Sequence, residues 1–291
     1  MALPRFSYLV PKNLKEACLI LAEYKDKARI LAGGTDILVQ MKNRILQPEY
    51  IIGISSIPNT DYINIDKRQL VIGANTKITA VAQHPDIQRY FPALAYAAGV
   101  TATVQIRNMG TVVGNICNAS PAADTATPLL VYDARVVIMN PKGERILPLG
   151  DFFLGPGVTA LESGEIVKEL ILPLTSEKSG SNYQKLSARS KVDIAAVGVS
   201  ACLQADEAGA ITQARIAIGA VAPVPKRVHR AEKTLEGKVL TQELIQKAAK
   251  ISMDEAIPIT DTRASDIYRK KMVDVLIRRA LSKSMEQIRT K

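Results

Sequence analysis

Two adjacent glycines, Gly33 and Gly34, separate an apolar run from a segment with helical character. The apolar run, residues 28–32, is predicted to be a short buried strand, and residues 36–42 are predicted to begin a helix. A strand that enters a helix through a bare Gly-Gly-Thr turn exposes successive backbone N–H groups, and such a turn can bind phosphate. The sequence is neither G-x-G-x-x-G nor a P-loop, so a purely structural turn is the alternative.

Helix and strand signals alternate on both sides of this turn. Asn13 can cap a helix over residues 14–27, and residues 49–54 have the composition of a second strand. Residues 1–55 are therefore predicted to form a small α/β unit.

A second unit is predicted to follow it. Its expected elements are strands within 63–74, 135–140, 144–149 and 165–174, and helices within 77–100 and 125–134. We expect Pro85 and Pro92 to break the first of these helices, leaving two pieces. The segment 105–124 is rich in Gly and Asn and is predicted to be a loop.

A polar segment, residues 175–182, marks the main domain boundary. Beyond it we expect three strands, within 182–188, 194–205 and 211–222. Three helical segments are predicted to end the chain, the last from about Ser265 to Ser282.

Composition excludes several classes of function. The net charge is +10, but the basic residues are scattered without interleaved aromatics, which favours a solvated face or an acidic partner over nucleic acid. The three cysteines lie far apart and form no C-x-x-C pair, so we expect no metal site. With only two histidines, no catalytic triad is expected either. No apolar stretch is long enough to span a bilayer, and we expect a cytoplasmic protein without membrane contact.

A second polar loop strengthens the interpretation of the glycine turn. Gly114 allows close approach of a ligand, and Thr111 and Asn115 provide polar side chains. Asp124 can accept hydrogen bonds from sugar or ribityl hydroxyls. Two such loops suit a long ligand with a central pyrophosphate, such as FAD.

Four stretches then carry a resemblance to a known family. They are AGGTDILVQMK from Ala32, the segment 105–134, the tripeptide Gly155–Gly157, and YQKLSARSKVDIA from Tyr183. In this order they resemble the FAD-binding subunit of the molybdenum hydroxylases, the family of xanthine dehydrogenase and carbon monoxide dehydrogenase. The resemblance implies an α+β protein with the FAD-binding fold of the vanillyl-alcohol-oxidase type. Two α/β subdomains, 1–55 and 56–176, would precede a C-terminal α+β domain, 177–291, with a three-stranded sheet and helices.

The resemblance also implies which residues hold FAD, and that the flavin is noncovalent. They are Ile30, Leu31, Ala32, Gly33, Gly34, Thr35, Asp36, Ile37, Thr111, Gly114, Asn115, Asp124, Val167 and Lys185. Lys185 would be a cation near the flavin ring, although it could be a plain surface lysine. Asp36 could instead cap the following helix, and Arg107 could brace its loop through carbonyl groups. Cys117 is expected to be a packed residue without redox chemistry.

By the same resemblance, the chain is one subunit of a larger enzyme. A small subunit would hold [2Fe-2S] clusters, a large subunit would hold the molybdenum cofactor, and the assembly would be a dimer of heterotrimers. Electrons would pass through FAD to NAD or another acceptor. Lys185, Arg189 and Lys191, opposed by Asp193 alone, would attract an anionic acceptor. The alternatives are a self-contained flavoprotein oxidoreductase of the same fold and a phosphate-binding or RNA-binding module.

Overall fold

The structure, a computed structural model, describes residues 2–66, 68–190 and 192–290. The described strands are β1 Ser7–Leu9, β2 Ala28–Leu31, β3 Tyr50–Gly53, β4 Ile63–Ile65, β5 Gln69–Gly73, β6 Arg135–Asn140, β7 Gly143–Pro148, β8 Phe153–Gly155, β9 Val158–Thr159, β10 Ile166–Pro173, β11 Ser179–Ser187, β12 Ala195–Ala205, β13 Ile211–Gly219 and β14 Lys226–Arg227. The α-helices are α1 Leu14–Tyr24, α2 Ile37–Lys42, α3 Ile78–Gln83, α4 Pro85–Tyr90, α5 Pro92–Val100, α6 Val104–Met109, α7 Val112–Cys117, α8 Ala126–Val131, α9 Leu149–Phe152, α10 His229–Leu235, α11 Gln242–Asp254 and α12 Asp266–Arg289. A 3-10 turn spans Lys25–Lys27.

The first sheet is parallel and small, with the strand order β1-β3-β2. Parallel neighbours need crossover connections, and α1 and α2 supply them. The Asn13 side chain caps α1 by accepting a hydrogen bond from the Glu16 amide, and Ala17 and Cys18 are fully buried against the sheet. The helix and the two strands predicted on either side of the glycine turn are therefore confirmed.

The second sheet has the order β4-β5-β10-β6-β7 and is antiparallel throughout. The prediction of two helical pieces within 77–100 was wrong. There are three, because Pro85 and Pro92 each occupy the start of a new helix, where proline is tolerated. The prediction of a loop over 105–124 was also wrong in part. Helix α6 crosses the start of this segment, and α7 lies within it. Thr103 and Thr111 cap these two helices through their side-chain oxygens.

The third sheet, β11-β12-β13-β14, is antiparallel and packs against α10, α11 and α12. Three strands were expected, and the short β14 adds a fourth. Strand β11 begins at Ser179, inside the predicted linker, because its first residues pair with the end of β12. The last helix is capped by Ser265 and continues to Arg289, beyond the predicted end. The predicted α+β class is confirmed.

Three hydrophobic cores hold these layers. The first lies between α1 and the parallel sheet and includes Ile166 of β10, so it is continuous with the second sheet. The second fills the space between α3–α8 and the five-stranded sheet, and the third lies under α10–α12. The exact domain bounds at residues 55 and 176 stay a prediction. In the described residues we find no helix with the length and hydropathy needed to cross a membrane.

Candidate functional site

A cavity of about 620 Å³ opens beside the glycine turn, a size typical of cofactor sites. Its walls come from the turn after β2, from the segment around α6 and α7, from the start of β10 and from the β11–β12 loop. The predicted residues that line it are Ile30, Ala32, Gly33, Gly34, Thr35, Asp36, Ile37, Thr111, Gly114, Asn115, Asp124 and Val167. Two predicted residues, Leu31 and Lys185, lie behind the wall.

The two glycines of the turn serve different purposes. Gly34 has φ +75°, in the left-handed region that favours glycine. Gly33 has no such φ, but a Cβ built on it would lie 2.7 Å from Gly110 Cα and closer still to the Met109 carbonyl oxygen. Gly33 therefore lets the two predicted loops touch each other, a contact that no local sequence pattern indicates.

The backbone of this turn offers unused donors. The amide groups of residues 33–36 donate no hydrogen bond to any other residue in the described parts of the chain, and α2 begins only with the bond from Leu38 N to Gly34 O. Amides left unpaired at the start of a helix suit an anion. The donors lie next to the cavity, so the turn fits a pyrophosphate group better than a purely structural role.

Asp36 occupies the N-cap position of α2 but does not cap the helix with its side chain. Its carboxylate instead accepts hydrogen bonds from Asn118 Nδ2, at 3.1 Å, and from the Thr35 hydroxyl, at 3.5 Å. Asp36 thus ties the first turn to α7, and the capping alternative is wrong.

The second turn is organised by Thr111. The Thr111 hydroxyl oxygen accepts a hydrogen bond from the Gly114 amide at 2.9 Å, and a Cβ on Gly114 would lie 2.7 Å from that oxygen. Asn115 accepts a bond from the Thr125 hydroxyl at 2.6 Å. The helix cap therefore leaves no room for a side chain at Gly114, and the Val113 side chain is buried.

Arg107 braces the adjoining backbone. Its Nη1 donates to the carbonyl oxygens of Thr101 and Ala102, at 3.0 and 2.8 Å. Both of these residues line the cavity, and Ala102 has φ +46°, so the guanidinium stabilises a strained part of the wall. Of the two roles considered for Arg107, the structure supports bracing.

A buried ion pair lies behind the wall. Lys185 Nζ is 2.8 Å from Asp124 Oδ2, and both side chains are less than a tenth exposed. The Tyr183 hydroxyl donates to Asp124 Oδ1 at 2.5 Å. Burial raises the pKa of Asp124, while Lys185 and Tyr183 oppose that rise. Lys185 is therefore no surface lysine. Tyr183 was missed, and the only signal for it in the sequence is its position two residues before Lys185 on the same strand face.

Another acid of the wall was missed. Glu165 lines the cavity and pairs with Arg145 at 2.6 Å, which lowers the pKa of Glu165. In the sequence it is only a charged residue before an apolar strand. Cys117 also lines the cavity, and burial raises the pKa of its thiol to about 12, which keeps it protonated at neutral pH.

The β11–β12 loop contributes the outer edge of the cavity. Val192, Asp193 and Ile194 line it. The Asp193 carboxylate accepts from the backbone amides of Arg189 and Ser190, at 3.2 and 3.1 Å, so it shapes the loop. Lys191, part of the predicted basic segment, lies outside the described residues. Among the described residues no group of three or more His, Cys, Asp or Glu could hold a metal ion.

Comparison with known proteins covers the chain almost from end to end. Residues 4–175 match the family described as "FAD binding domain in molybdopterin dehydrogenase", and residues 182–284 match "CO dehydrogenase flavoprotein C-terminal domain". The chain is 32% identical to the nicotinate dehydrogenase FAD-subunit of Eubacterium barkeri, over 97% of both chains. It is 33% identical to the xanthine dehydrogenase FAD-binding subunit of Escherichia coli O157:H7, over 96% of both. A solved chain of carbon monoxide dehydrogenase from Hydrogenophaga pseudoflava superposes with a TM-score of 0.95 at 34% identity, covering 99% of each chain.

Proposed function

The chain belongs to the FAD-binding subunits of the molybdenum hydroxylases, and from this premise we propose how its own residues hold FAD and serve electron transfer. The resemblance seen in the sequence is confirmed by both family matches. The protein is the flavin subunit of an oxidoreductase, and it works with a small iron–sulfur and a large molybdenum subunit. Electrons from the partner subunits pass through FAD.

The unused amides of residues 33–36 are the observation that carries the assignment of the pyrophosphate. In our proposal they donate to the phosphate oxygens, and the open backbone of Gly34 permits the approach. Thr35 and Asn115 supply side-chain donors on either side of the cavity. Asp124 accepts from hydroxyl groups of the ribityl chain.

The remaining predicted residues exclude water and support the wall. Ile30, Ile37 and Val167 present aliphatic side chains to the cavity, together with Ala32 and the backbone at Thr111 and Gly114. Leu31 does not line the cavity and packs behind the turn, where its Cδ1 lies 3.2 Å from the position that a Cβ on Gly34 would take. FAD, when bound, supplies the redox chemistry, and the chain supplies binding, orientation and electrostatics.

A self-contained flavoprotein would need a free acid or base beside the flavin. Each of the four acids in the described cavity wall has a partner: Asp124, Glu165 and Asp193 are held in ion pairs, and Asp36 accepts hydrogen bonds from Asn118 and Thr35. No described feature favours this second function or a nucleic-acid module.

We also propose that the assembly is a dimer of heterotrimers. Support comes from an exposed apolar segment: Ile257, Ile259 and Ile267 are each 65–70% exposed, and several exposed apolar side chains close together in sequence suit an interface. Buried Arg269 bonds to Asp261 and to the Ala220 carbonyl oxygen, and these bonds fix the segment to the end of β13.

Coexpression with the two partner subunits tests the proposal directly. We expect one complex that contains FAD, molybdenum and iron, and whose mass equals two copies of each subunit. The measurements are the visible spectrum, metal analysis and light scattering. A flavin-free complex would contradict the cavity assignment, and a single heterotrimer would contradict only the stoichiometry.

For the acceptor, we propose NAD and a guiding role for the basic β11–β12 loop. Arg189 is the exposed cation described there, with 85% of its side chain accessible and only a weak pair to Asp193. In the assembled enzyme, Arg189→Glu should raise the KM for NAD about threefold to tenfold and reduce its dependence on salt. Reduction of an uncharged dye is the internal control. Equal changes with both acceptors, or no change with either, would rule out guidance by this loop.

A further inference from the structure

Asp124 is the point where the cavity meets the C-terminal domain. Its carboxylate lines the cavity, while its two oxygens accept from Tyr183 and Lys185 on β11. A carboxylate with a donor on each oxygen has a fixed rotamer and a stabilised charge. The orientation of Asp124 is therefore set by residues that themselves do not line the cavity.

Lys185 does not offer a free positive charge. Its ammonium group has Asp124 at 2.8 Å and the Val100 carbonyl oxygen at 3.4 Å, and the side chain is 5% exposed. The Asp124 and Lys185 charges balance each other within one buried pair. Any influence of Lys185 on a molecule in the cavity is thus transmitted through the carboxylate.

The third sheet places Tyr183 beside this ion pair. Tyr183 is 2% exposed, and its side chain shares a strand face with Lys185. Gly198 on β12 stands opposite Lys185, and a Cβ there would lie 3.2 Å from the Tyr183 hydroxyl oxygen. The missing side chain at Gly198 gives the phenol room to reach Asp124.

We propose that Tyr183 is a positioning residue for FAD: with Lys185 it holds the Asp124 carboxylate ionised and turned toward the cofactor, so that Lys185 acts on FAD only through Asp124. This inference rests on the proposed FAD site and extends it to a tyrosine outside the cavity wall. Tyr183 donates to the charged form of Asp124, so it favours ionisation of that group.

The test compares two buried tyrosines in the full-length chain. Tyr183→Phe removes the hydroxyl that holds Asp124, whereas Tyr132→Phe removes a hydroxyl that bonds Ser181 and the Ala93 amide in the same core. Loss of a hydrogen bond to a charged group should raise the Kd of FAD about fivefold to tenfold in Tyr183→Phe. Tyr132→Phe should bind FAD as the wild type does, although both variants lose stability.

The pH profile of FAD binding distinguishes positioning from a merely structural role. The titratable groups that face Asp124 are Lys185 and Tyr183 from β11, and Tyr96 from α5 packs near Tyr183. Without the tyrosine hydroxyl the pKa of Asp124 rises. As the pH is lowered, the affinity for FAD should therefore begin to fall at a higher pH in Tyr183→Phe than in the wild type. In Tyr132→Phe it should begin to fall at the same pH as in the wild type.

The assembled enzyme is stripped of flavin and titrated with FAD, and flavin fluorescence followed from pH 5 to 8 gives both readouts. If Tyr183→Phe does not fold, Gly198→Ala replaces it, because the added Cβ crowds the hydroxyl without removing it. Equal Kd values and pH profiles in both tyrosine variants would overturn the positioning role. A wild-type assembly that binds no FAD would instead overturn the proposed site.

Discussion

Replacing Gly33 by alanine is expected to weaken FAD binding about a hundredfold while the chain remains folded, since losing one or two hydrogen bonds to a charged phosphate has an effect of about that size. The added Cβ would lie 2.7 Å from Gly110 Cα and would meet the Met109 carbonyl oxygen. Backbone atoms cannot turn aside as a flexible side chain can. Both turns line the cavity, so separating them displaces the amides of residues 33–36 from the positions proposed for the pyrophosphate contact.

Gly99 provides the matched control. It is an exposed helical glycine with no atom within 4 Å of the position of its Cβ, and Gly99→Ala should leave FAD binding unchanged. Dissociation constants from fluorescence titration and thermal unfolding of the apoprotein are measured for both variants. Full FAD affinity in Gly33→Ala would mean that the contact between the turns has no part in binding.

The second large effect is expected on stability. Lys185→Met leaves the Asp124 carboxylate buried without its cation, which should lower the free energy of unfolding at neutral pH by about 3–5 kcal/mol. The double variant Lys185→Met with Asp124→Asn should be more stable than the single one, because it has no charge left to bury. Urea unfolding of the three proteins without flavin measures this difference.

The pH dependence of the single variant has a definite sign. Burial already raises the pKa of Asp124, and loss of Lys185 raises it further. A carboxyl group whose folded pKa lies above its unfolded value of about 3.9 stabilises the protein less as the pH rises. The deficit of Lys185→Met should therefore be small near pH 4 and grow as the pH rises through the folded pKa of Asp124. A deficit independent of pH would show that packing, and not the unpaired charge, accounts for the loss.

The sequence was sufficient to predict the helices and strands that depend on local residue patterns. The buried strand before Gly33, the helix capped by Asn13 and the longer strands of the sheets follow from apolar periodicity and capping, and they are observed, whereas the short strands β1, β8, β9 and β14 were not predicted. The segment 105–124 was harder, because its Gly and Asn content hides α6 and α7. The N-cap residues Thr103 and Thr111 indicate these two short helices, but the overall composition of the segment is that of a loop.

The candidate site was predictable as a set of residues and less so as a set of contacts. The glycine turns and Asp124 could be identified by type, but their partners come from remote parts of the chain. Nothing local indicates that Asp36 bonds to Asn118, that Gly33 meets Gly110 or that Tyr183 holds Asp124. Such pairings depend on how the sheets pack, which periodicity does not specify.

The contact between the two turns also has a consequence for folding. Asp36 and Asn118 are 82 residues apart in sequence, and Lys185 and Asp124 are 61 apart. Contacts of such separation form slowly, since long loops must close before the contacts can stabilise them. The cavity is therefore completed only when the three larger sheets have met, and no fragment of the chain should contain it. Capture of the flavin would then mark the end of folding, so that an unfinished subunit remains colourless.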